Sequence, residues 1–395
     1  MTAGPVARFC FDHLDELLSR WQYLWQPAPF IDLAPEWARK HPLLYDSLLS
    51  LGDAHYQHLV ADEAACLRWL TTLLPALGEL SSSRLEQEPE PALPLPLSAS
   101  VPGRKQGQVS AFVAATAPAG SHLLEWCAGQ GWLLEGLARR YPARVLEGVE
   151  WQPRLCAQGN LRLQHVGTRA RLYCGDVLEG GAALTPAYSV LALHACGHLH
   201  QALVRQTVIA QPRDIALSPC CFHLGERHAL SQKAQQARLD AASIDRHLAV
   251  QDTSIGHGNR QRRAEKSSQW RLGYELMRRH VTGDNHYRPM PSWPGELWQG
   301  QFADFCHHCA RHHGVSLSAD IDFEHWLRQG EQRHRCVRRL ELVRRQFRRL
   351  LEWWLVLDLG WYLVEHGYAV DIRPFCAPSL TPRNLLLQAR RRDDV

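Results

Sequence analysis

A glycine loop followed by two acidic positions is the strongest chemical signal in this sequence. The loop contains Gly129 and Gly131, and glycines of this kind let the backbone approach a ligand closely at the end of a strand. Glu150 and Asp176 end the next two apolar segments, so one carboxylate is available for ribose hydroxyls and a second acid, with its neighbouring amide, for an adenine edge. A dinucleotide site would need a third glycine where the chain has Leu134. The pattern therefore predicts a nucleoside cofactor and disfavours NAD.

Two further motifs combine histidine with cysteine. They read His194-Ala195-Cys196-Gly197 and Pro219-Cys220-Cys221-Phe222-His223, and each follows an apolar segment. Because the carboxyl ends of parallel strands share one edge of a sheet, these side chains should surround a pocket beside the glycine loop. Imidazole titrates near neutral pH, so His194 and His223 are candidate bases. The alternative for each histidine is a structural hydrogen bond inside a tight turn.

The cysteines of these two motifs admit three interpretations. With His223 they are possible soft ligands for zinc, one of them is a possible covalent nucleophile, or all of them line the pocket. Adjacent cysteines rarely both bind one ion and no CxxC spacing is present in these motifs, so we expect pocket-lining residues and no metal. A separate CxxC places Cys306, Cys309 and His313 on one helical face, but it has no second CxxC to complete a zinc site.

The elements that position these residues are predicted from hydrophobic periodicity. Short apolar segments alternate with helical stretches, which is typical of parallel strands joined by crossover helices. We therefore expect an α/β fold, a Rossmann-like doubly wound sheet closed by a C-terminal hairpin. The predicted strands are 122–127, 144–151, 171–174, 188–194, 214–220, 368–375 and 384–389.

Changes in composition along the chain predict five regions. They are an N-terminal helical domain (1–80), a proline-rich linker (81–102), a core (103–225), a large helical insertion before the last two strands (226–367) and the C-terminal strands that complete the core (368–395). The insertion is expected to end in one long helix capped by His366 and Gly367. Nine arginines between positions 328 and 349 indicate either a solvated helix face or a phosphate-binding strip.

These motifs resemble motifs I, II and III of class I S-adenosylmethionine-dependent methyltransferases. The HACG and PCCxH motifs, the preceding Gly103-Arg104-Lys105-Gln106 and the downstream Thr381-Pro382-Arg383-Asn384 resemble a narrower group. It comprises methyltransferase-like protein 25, its bacterial relatives and the tRNA acceptor-stem 2′-O-methyltransferases. The resemblance covers residues 103–225 and 368–390. The zinc-finger modules of the tRNA enzymes have no counterpart here, which puts the tRNA substrate in doubt more than methyl transfer.

The resemblance implies S-adenosylmethionine as cofactor and a role for each matching position. For a hydroxyl acceptor, His194 and His223 are the expected bases, Asn384 orients the acceptor, and Lys105 contacts a phosphate or stabilises an alkoxide. The expected substrate-binding residues are Cys196, Cys220, Cys221 and Arg383. The expected cofactor-binding residues are Glu125, Cys127, Ala128, Gly129, Gly131, Glu150, Trp151, Asp176, Val177 and His194.

Composition limits the wider setting of this activity. The 395 residues carry a net charge of +4, only four lysines beside 40 arginines, and 12 cysteines, which are expected to be free thiols in a reducing compartment. The N-terminal residues lack the apolar stretch of a signal peptide and no segment is long enough to span a membrane, so the expected location is cytoplasmic. We expect methylation of structured RNA such as tRNA. The alternatives are a protein side chain or small molecule as acceptor, and a non-catalytic interaction module; the oligomeric state is left open.

Overall fold

The computed structural model describes residues 5–32, 34–82, 92–249 and 259–392. Seven strands within these ranges form one mixed sheet. The strands are β1 (His122–Trp126), β2 (Val145–Glu150), β3 (Arg171–Cys174), β4 (Tyr188–Cys196), β5 (Asp214–Cys220), β6 (Tyr368–Pro374) and β7 (Leu385–Arg391). Their order in the sheet is β3-β2-β1-β4-β5-β7-β6. The first five strands run parallel, whereas β7 is antiparallel to both β5 and β6. The predicted α/β doubly wound sheet with a closing hairpin is confirmed.

The strand order brings the predicted motifs to one edge. Strand β1 pairs in parallel with both β2 and β4, so the strand order reverses at β1, and open α/β sheets bind ligands where this happens. Cys196 and Cys220 are register partners at the ends of β4 and β5. All seven residues of β5 are buried, as expected for a strand covered on both faces of a parallel sheet.

Helices cover the sheet and form the remaining regions. Those that accompany the strands are α1 (Pro5–Arg20), α8 (Gly103–Ala115), α9 (Trp132–Arg140), α10 (Pro153–His165), α11 (His198–Ala210), α12 (Gln232–Gln235), α13 (Arg246–Ala249) and α17 (Arg348–Glu365). The others are α2 (Gln22–Trp25), α3 (Trp37–Lys40), α4 (Pro42–Leu49), α5 (Asp53–Ala61), α6 (Glu63–Leu73), α7 (Glu79–Ser82), α14 (Asn259–Thr282), α15 (Phe302–His313) and α16 (Phe323–Arg345). None of these described helices is long and apolar enough to cross a membrane.

Two compact units cut across the predicted domain bounds. One unit contains Met1–Arg20, Ser83–Thr253 and Phe347–Val395, and the other contains Trp21–Ser82 and Ser254–Gln346. The first unit holds the whole sheet and the second is helical. The five predicted regions stay a prediction, but both the N-terminal region and the helical insertion contribute to each unit.

Helix α1 belongs to the unit of the sheet because its buried carboxylate is satisfied there. The Asp15 carboxylate accepts hydrogen bonds from the backbone N–H groups of Arg238 and Leu239 at 2.8 and 3.1 Å, and from the indole N–H of Trp354 at 3.2 Å. A buried carboxylate needs such partners. The described part of the expected linker, residues 92–102, is also anchored, since the Ser98 N–H donates to the Glu135 carboxylate at 2.7 Å.

The expected single long helix is divided. Helix α16 ends at Arg345 and α17 begins at Arg348, and the break coincides with the boundary between the two units. The predicted C-terminal end of this region is confirmed, because α17 ends at Glu365 with His366 as its cap and Gly367 follows with a φ of 90°.

Candidate active site

The glycine loop connects β1 to α9 through three left-handed backbone positions. Cys127, Gly129 and Gly131 have φ angles of 58°, 57° and 67°, a region that side chains rarely adopt. A Cβ atom at Gly129 would meet no other atom within 4 Å, so the space beside the loop is open. Glycine is therefore required here for its positive φ angle and not for lack of space. The N–H of Ala128 donates to the carbonyl oxygen of Val149 on β2, and the N–H of Gly131 donates to the carbonyl oxygen of Ala128 within the loop. A non-glycine residue such as Cys127 in this conformation is typical of functional sites.

Glu150 lies beneath the loop and orders it. Its buried carboxylate accepts hydrogen bonds from the N–H of Gly129 at 2.9 Å and from the N–H of Gln152 at 3.0 Å. A carboxylate offers about four lone-pair directions, so two remain for the hydroxyls of a ribose. Glu150 therefore keeps the acceptor capacity that its predicted role in binding a ribose requires.

Glu125 supports the start of α9 from inside the protein. Its carboxylate accepts a hydrogen bond from the N–H of Leu134 at 2.8 Å. Burial raises its pKa to about 8, although the Leu134 hydrogen bond and the nearby charge of Lys105 oppose the shift. Glu125 is therefore largely protonated at neutral pH, and its observed partner is the helix that follows the loop.

Three more predicted cofactor residues follow the second and third strands: Trp151 comes after β2, and Asp176 and Val177 come after β3. Asp176 is exposed and its carboxylate accepts from the N–H of Leu178 at 2.9 Å, which caps a short 3-10 turn. The N–H of Gly175 donates to the carbonyl oxygen of Glu150 at 3.0 Å, so the ends of β2 and β3 are joined. Trp151 is 63% exposed and Val177 is buried. These residues lie where the ends of β2 and β3 meet, as the register of the two strands requires.

His194 occupies a distorted position in β4. Its φ is 67°, and the register with β5 shifts between Leu193 and Ala195. Burial lowers the pKa of His194 to about 3, and the positive charges of Lys105 and Arg383 lower it further. Its Nδ1 atom is buried and has no hydrogen-bond partner among the described residues. His194 is therefore neutral at physiological pH. It is suited to accept a hydrogen bond from a ligand or to donate one to it.

Two cations lie close enough to His194 to affect its titration. Lys105, on α8, is half-buried, and burial lowers its pKa. Arg383 precedes β7, and its carbonyl oxygen accepts a hydrogen bond from the Ser218 hydroxyl at 3.3 Å. The end of β4 is thus electropositive.

Three cysteine thiols meet at the ends of β4 and β5. The sulfur atoms of Cys196, Cys220 and Cys221 all lie within 4.8 Å of one another, and those of Cys196 and Cys220 are 3.1 Å apart. A hydrogen bond from the Cys220 thiol lowers the pKa of Cys221, assisted by Arg383 and His223, whereas the pKa of Cys220 is raised. The predicted substrate-binding cysteines therefore form one cluster.

His223 lies at the edge of this cluster. Its ring stacks on that of His247 with centroids 4.6 Å apart. Its Nδ1 atom is buried without a hydrogen-bond partner in the described part of the chain. The stacking partner His247 was missed at the level of the sequence, because no spacing pattern connects it to the PCCxH motif.

Asn384 is placed in the interior, with both ends of its amide engaged. Its side-chain oxygen accepts from the Arg349 guanidinium at 2.7 Å and its side-chain nitrogen donates to the carbonyl oxygen of Cys376 at 2.5 Å. Arg349 also donates to Glu352 at 2.7 Å. The structure thus gives Asn384 a structural set of partners, and its role in orienting the acceptor stays a prediction. Sequence reasoning missed Arg349 and Glu352, although their i,i+3 spacing is a recognisable ion-pair signal.

The arginine-rich segment 328–349 is neither a uniform solvated face nor a continuous phosphate-binding strip. Only Arg328 and Arg335 of its nine arginines are exposed. Arg339 donates to the Leu51 carbonyl oxygen at 2.8 Å and to Asp53 at 2.7 Å. The buried members are Arg339, Arg344, Arg348 and Arg349. Arg339, Arg344 and Arg349 donate hydrogen bonds within the protein, and Arg348 forms an ion pair with Glu352 at 3.7 Å.

The separate CxxC belongs to an aromatic core. Cys306 and Cys309 are fully buried on α15 among side chains such as Trp270 and Phe305. His313 is held by the Tyr274 hydroxyl at 2.9 Å and the Pro289 carbonyl oxygen at 3.1 Å. These contacts assign the segment to packing.

Residues 104–227 match a family model described as a methyltransferase domain. No curated protein matches the chain significantly. One solved structure that matches part of the chain is PigF with SAH, which is 21% identical over 25% of this chain and 31% of that chain, with a TM-score of 0.22. Another is the tRNA (uracil-54, C5)-methyltransferase of Pyrococcus abyssi in complex with S-adenosyl-L-homocysteine, 16% identical over 29% of each chain with a TM-score of 0.25.

The plantazolicin methyltransferase BpumL in complex with SAH matches over a greater length. It is 11% identical over 90% of this chain and 96% of that chain, with a TM-score of 0.25. Scores this low establish no shared substrate, and the chain spans less than a third of the first two structures. The family match falls on the glycine loop, Glu150 and the cysteine cluster. Residues 104–227 of the chain are therefore similar to a methyltransferase domain.

Proposed function

We propose that this domain methylates a hydroxyl group of a structured RNA such as tRNA, as the resemblance to the acceptor-stem 2′-O-methyltransferases suggests. The observation that carries the proposal is the pair of cations, Lys105 and Arg383, that act on His194 at the acceptor side of the sheet. A ribose hydroxyl in RNA is flanked by phosphates, and cationic side chains provide most of the affinity for phosphates. A cytoplasmic location is part of this proposal.

S-adenosylmethionine supplies an electrophilic methyl group on a sulfonium. In the proposed reaction the C–S bond breaks as the acceptor oxygen forms a bond to the methyl carbon, the bonding pair remains on sulfur, and the hydroxyl proton is released. Such a transfer depends mostly on in-line placement of the two reacting groups. The chain's contribution is to hold the donor at the glycine loop and the acceptor near His194.

The proposed roles of individual residues follow from their surroundings. Glu150 and the loop backbone hold the ribose of the donor. His194 is neutral because burial lowers its pKa to about 3, so it orients the hydroxyl and is a weak base. Lys105 acts as a cation beside His194 and is proposed to contact a phosphate or to stabilise the negative charge that develops on the acceptor oxygen. Arg383 contacts a neighbouring phosphate.

Methyl incorporation from labelled S-adenosylmethionine tests this proposal. The purified protein is incubated with a lysate from cells that lack its gene, and the products are separated into RNA, protein and small molecules. We expect label in small RNA. Label confined to protein or to metabolites would replace RNA by that acceptor class, and donor binding without any label would favour a non-catalytic interaction module.

Substitution of Lys105 by Met provides a matched test of the pocket. We expect Lys105→Met to retain donor affinity and to lose about 100-fold or more in turnover, in the range observed when a group that stabilises a developing negative charge is removed. Lys233→Met is the control, because Lys233 forms an ion pair with Asp12 at 2.5 Å. Equal turnover of the two variants would contradict the role of Lys105.

A further inference from the structure

The cysteine cluster of Cys196, Cys220 and Cys221 has the composition of a soft-metal site. Its three sulfur atoms come from two adjacent strands and converge within 4.8 Å. They form the only such group of potential ligands among the residues that the structure describes. Metal thiolate sites need several sulfur atoms converging in this way.

Distances within the cluster are compatible with a single tetrahedral ion. Zinc binds thiolate sulfur at about 2.3 Å, so two sulfurs on one tetrahedral zinc are about 3.8 Å apart. The sulfurs of Cys196 and Cys220 are 3.1 Å apart, and they need to separate by less than about 1 Å to reach that spacing. A small rotation of either side chain provides this movement.

A disulfide explains the cluster less well. Sulfur atoms in a disulfide are about 2.05 Å apart, so Cys196 and Cys220 would have to approach by about as much as zinc requires them to separate. A disulfide also uses two of the three thiols and gives no reason for the third. The vicinal pair does not exclude a shared ion, because the left-handed backbone at Cys221, with a φ of 49°, turns the chain between its two side chains.

His223 is the candidate fourth ligand; its ring nitrogens lie outside the group of three sulfurs that converge within 4.8 Å, so the ring must move toward them to bind the same ion. His223 follows Cys221 by two positions, and its Nδ1 atom is buried with no hydrogen-bond partner in the described part of the chain. A buried imidazole nitrogen without a partner is costly unless a ligand satisfies it, and neutral imidazole is a common zinc ligand.

We propose that Cys196, Cys220 and Cys221 bind one zinc ion, with His223 as the fourth ligand. The ion would join the ends of β4 and β5 and so hold the acceptor side of the pocket, including the distorted segment at His194. This inference departs from the sequence-based expectation of no metal and does not depend on the identity of the methyl acceptor. Binding displaces the thiol protons, and the released protons pass to the solvent.

Metal content of the purified full-length protein is the first test. The protein is expressed in medium containing zinc, dialysed, and analysed by elemental mass spectrometry. We expect about one zinc per chain, as for a structural site. Absence of bound zinc after loading under reducing conditions would overturn the proposal, as would stoichiometric copper in its place.

Variants locate the ion within the chain. Cys196→Ser and Cys221→Ser should each weaken zinc affinity by at least about 100-fold, since loss of a direct ligand costs no less than loss of an outer partner. Cys174→Ser and Cys336→Ser are the controls, because these thiols lie outside the cluster, and they should retain zinc. Equal zinc content in all four variants would overturn the assignment.

Cobalt substitution tests the ligand set in the folded protein without any mutation. Co²⁺ bound by three thiolates gives a strong sulfur-to-metal charge-transfer band whose intensity increases with the number of thiolates. We expect the visible bands of tetrahedral Co²⁺ and a charge-transfer band with the intensity of three thiolates. In His223→Ala we expect the visible bands to change and the charge-transfer band to be retained. A spectrum without thiolate charge transfer would overturn the proposal.

Discussion

The carboxylate of Glu150 has two roles. It orders the glycine loop, and it is the predicted partner of the donor ribose. Glu150→Ala removes the acceptor for the N–H groups of Gly129 and Gln152 as well as the ribose contacts. We expect a loss of about 3 kcal/mol, roughly a 100-fold weaker Kd for S-adenosylmethionine. Isothermal titration calorimetry measures this change.

The matched control lies on the same strand. Glu147 accepts from the Tyr188 hydroxyl at 2.8 Å and precedes the edge that carries the glycine loop, so Glu147→Ala should leave donor affinity within about twofold, within the usual effect of a substitution away from a site. Unchanged donor binding in Glu150→Ala would show that the donor occupies a different place.

Glu125 makes folding stability depend on pH in an unusual direction for a carboxylate. Burial raises its pKa from 4.5 to about 8, so between these values the folded chain keeps a proton that the unfolded chain releases. Its contribution to stability is fully present below pH 4.5 and is lost as the pH rises through about 8. The total change is on the order of 5 kcal/mol.

Urea unfolding at several pH values tests this effect. Glu125→Gln keeps an acceptor for the Leu134 N–H and removes the titration, so other ionisable groups cancel when the variant is compared with the wild type. We expect the variant to gain stability relative to the wild type between pH 5 and 8, in the range that these pKa values define. A constant difference across this range would mean that Glu125 is already ionised in the folded protein.

At the scale of elements, Asn384 connects the start of α17 to the loop between β6 and β7. Asn384→Ala removes one acceptor of Arg349 and the donor to the Cys376 carbonyl oxygen. Loss of these buried hydrogen bonds should lower the free energy of unfolding by about 2 kcal/mol. Asn384→Asp keeps the acceptor for Arg349 but places a carboxylate oxygen against the Cys376 carbonyl oxygen, so it should lose at least as much.

Unfolding and turnover measured together separate the two roles of Asn384. If its contribution is structural, turnover of the folded alanine variant should fall no further than its stability explains. A variant of wild-type stability that lacks turnover would instead support the predicted orientation of the acceptor.

At the scale of the whole molecule, the burial of arginines limits how RNA can be bound. Binding to RNA should weaken as salt increases, with the slope set by the number of phosphates contacted. Because only Arg328 and Arg335 of the 328–349 segment are exposed, the double variant Arg328→Ala/Arg335→Ala should reduce that slope by at most about two. Fluorescence anisotropy with a labelled small RNA measures both quantities.

The two possible contrary results have different meanings. A salt-independent affinity would remove RNA as the ligand. A fall in the slope of much more than two would mean that the two substitutions also disturb phosphate contacts made by other residues.

The sequence by itself determined the features that depend on short stretches of chain. Alternating apolar and helical segments indicated all seven strands within about two residues of their observed ends. The glycine loop and Glu150 were recognisable because backbone conformation and strand-end position are local properties. Because the carboxyl ends of parallel strands share one edge of the sheet, the predicted motifs lie at that edge.

Only the tertiary structure decided which distant side chains meet. Helical periodicity suggested one long helix and an exposed arginine face, but packing divided that helix and buried four of its arginines. Likewise, the sequence spacing of Cys196 and Cys220 carries no sign that their sulfurs lie 3.1 Å apart. Contacts between residues far apart in sequence depend on how the chain crosses and packs, and local propensity does not encode that geometry.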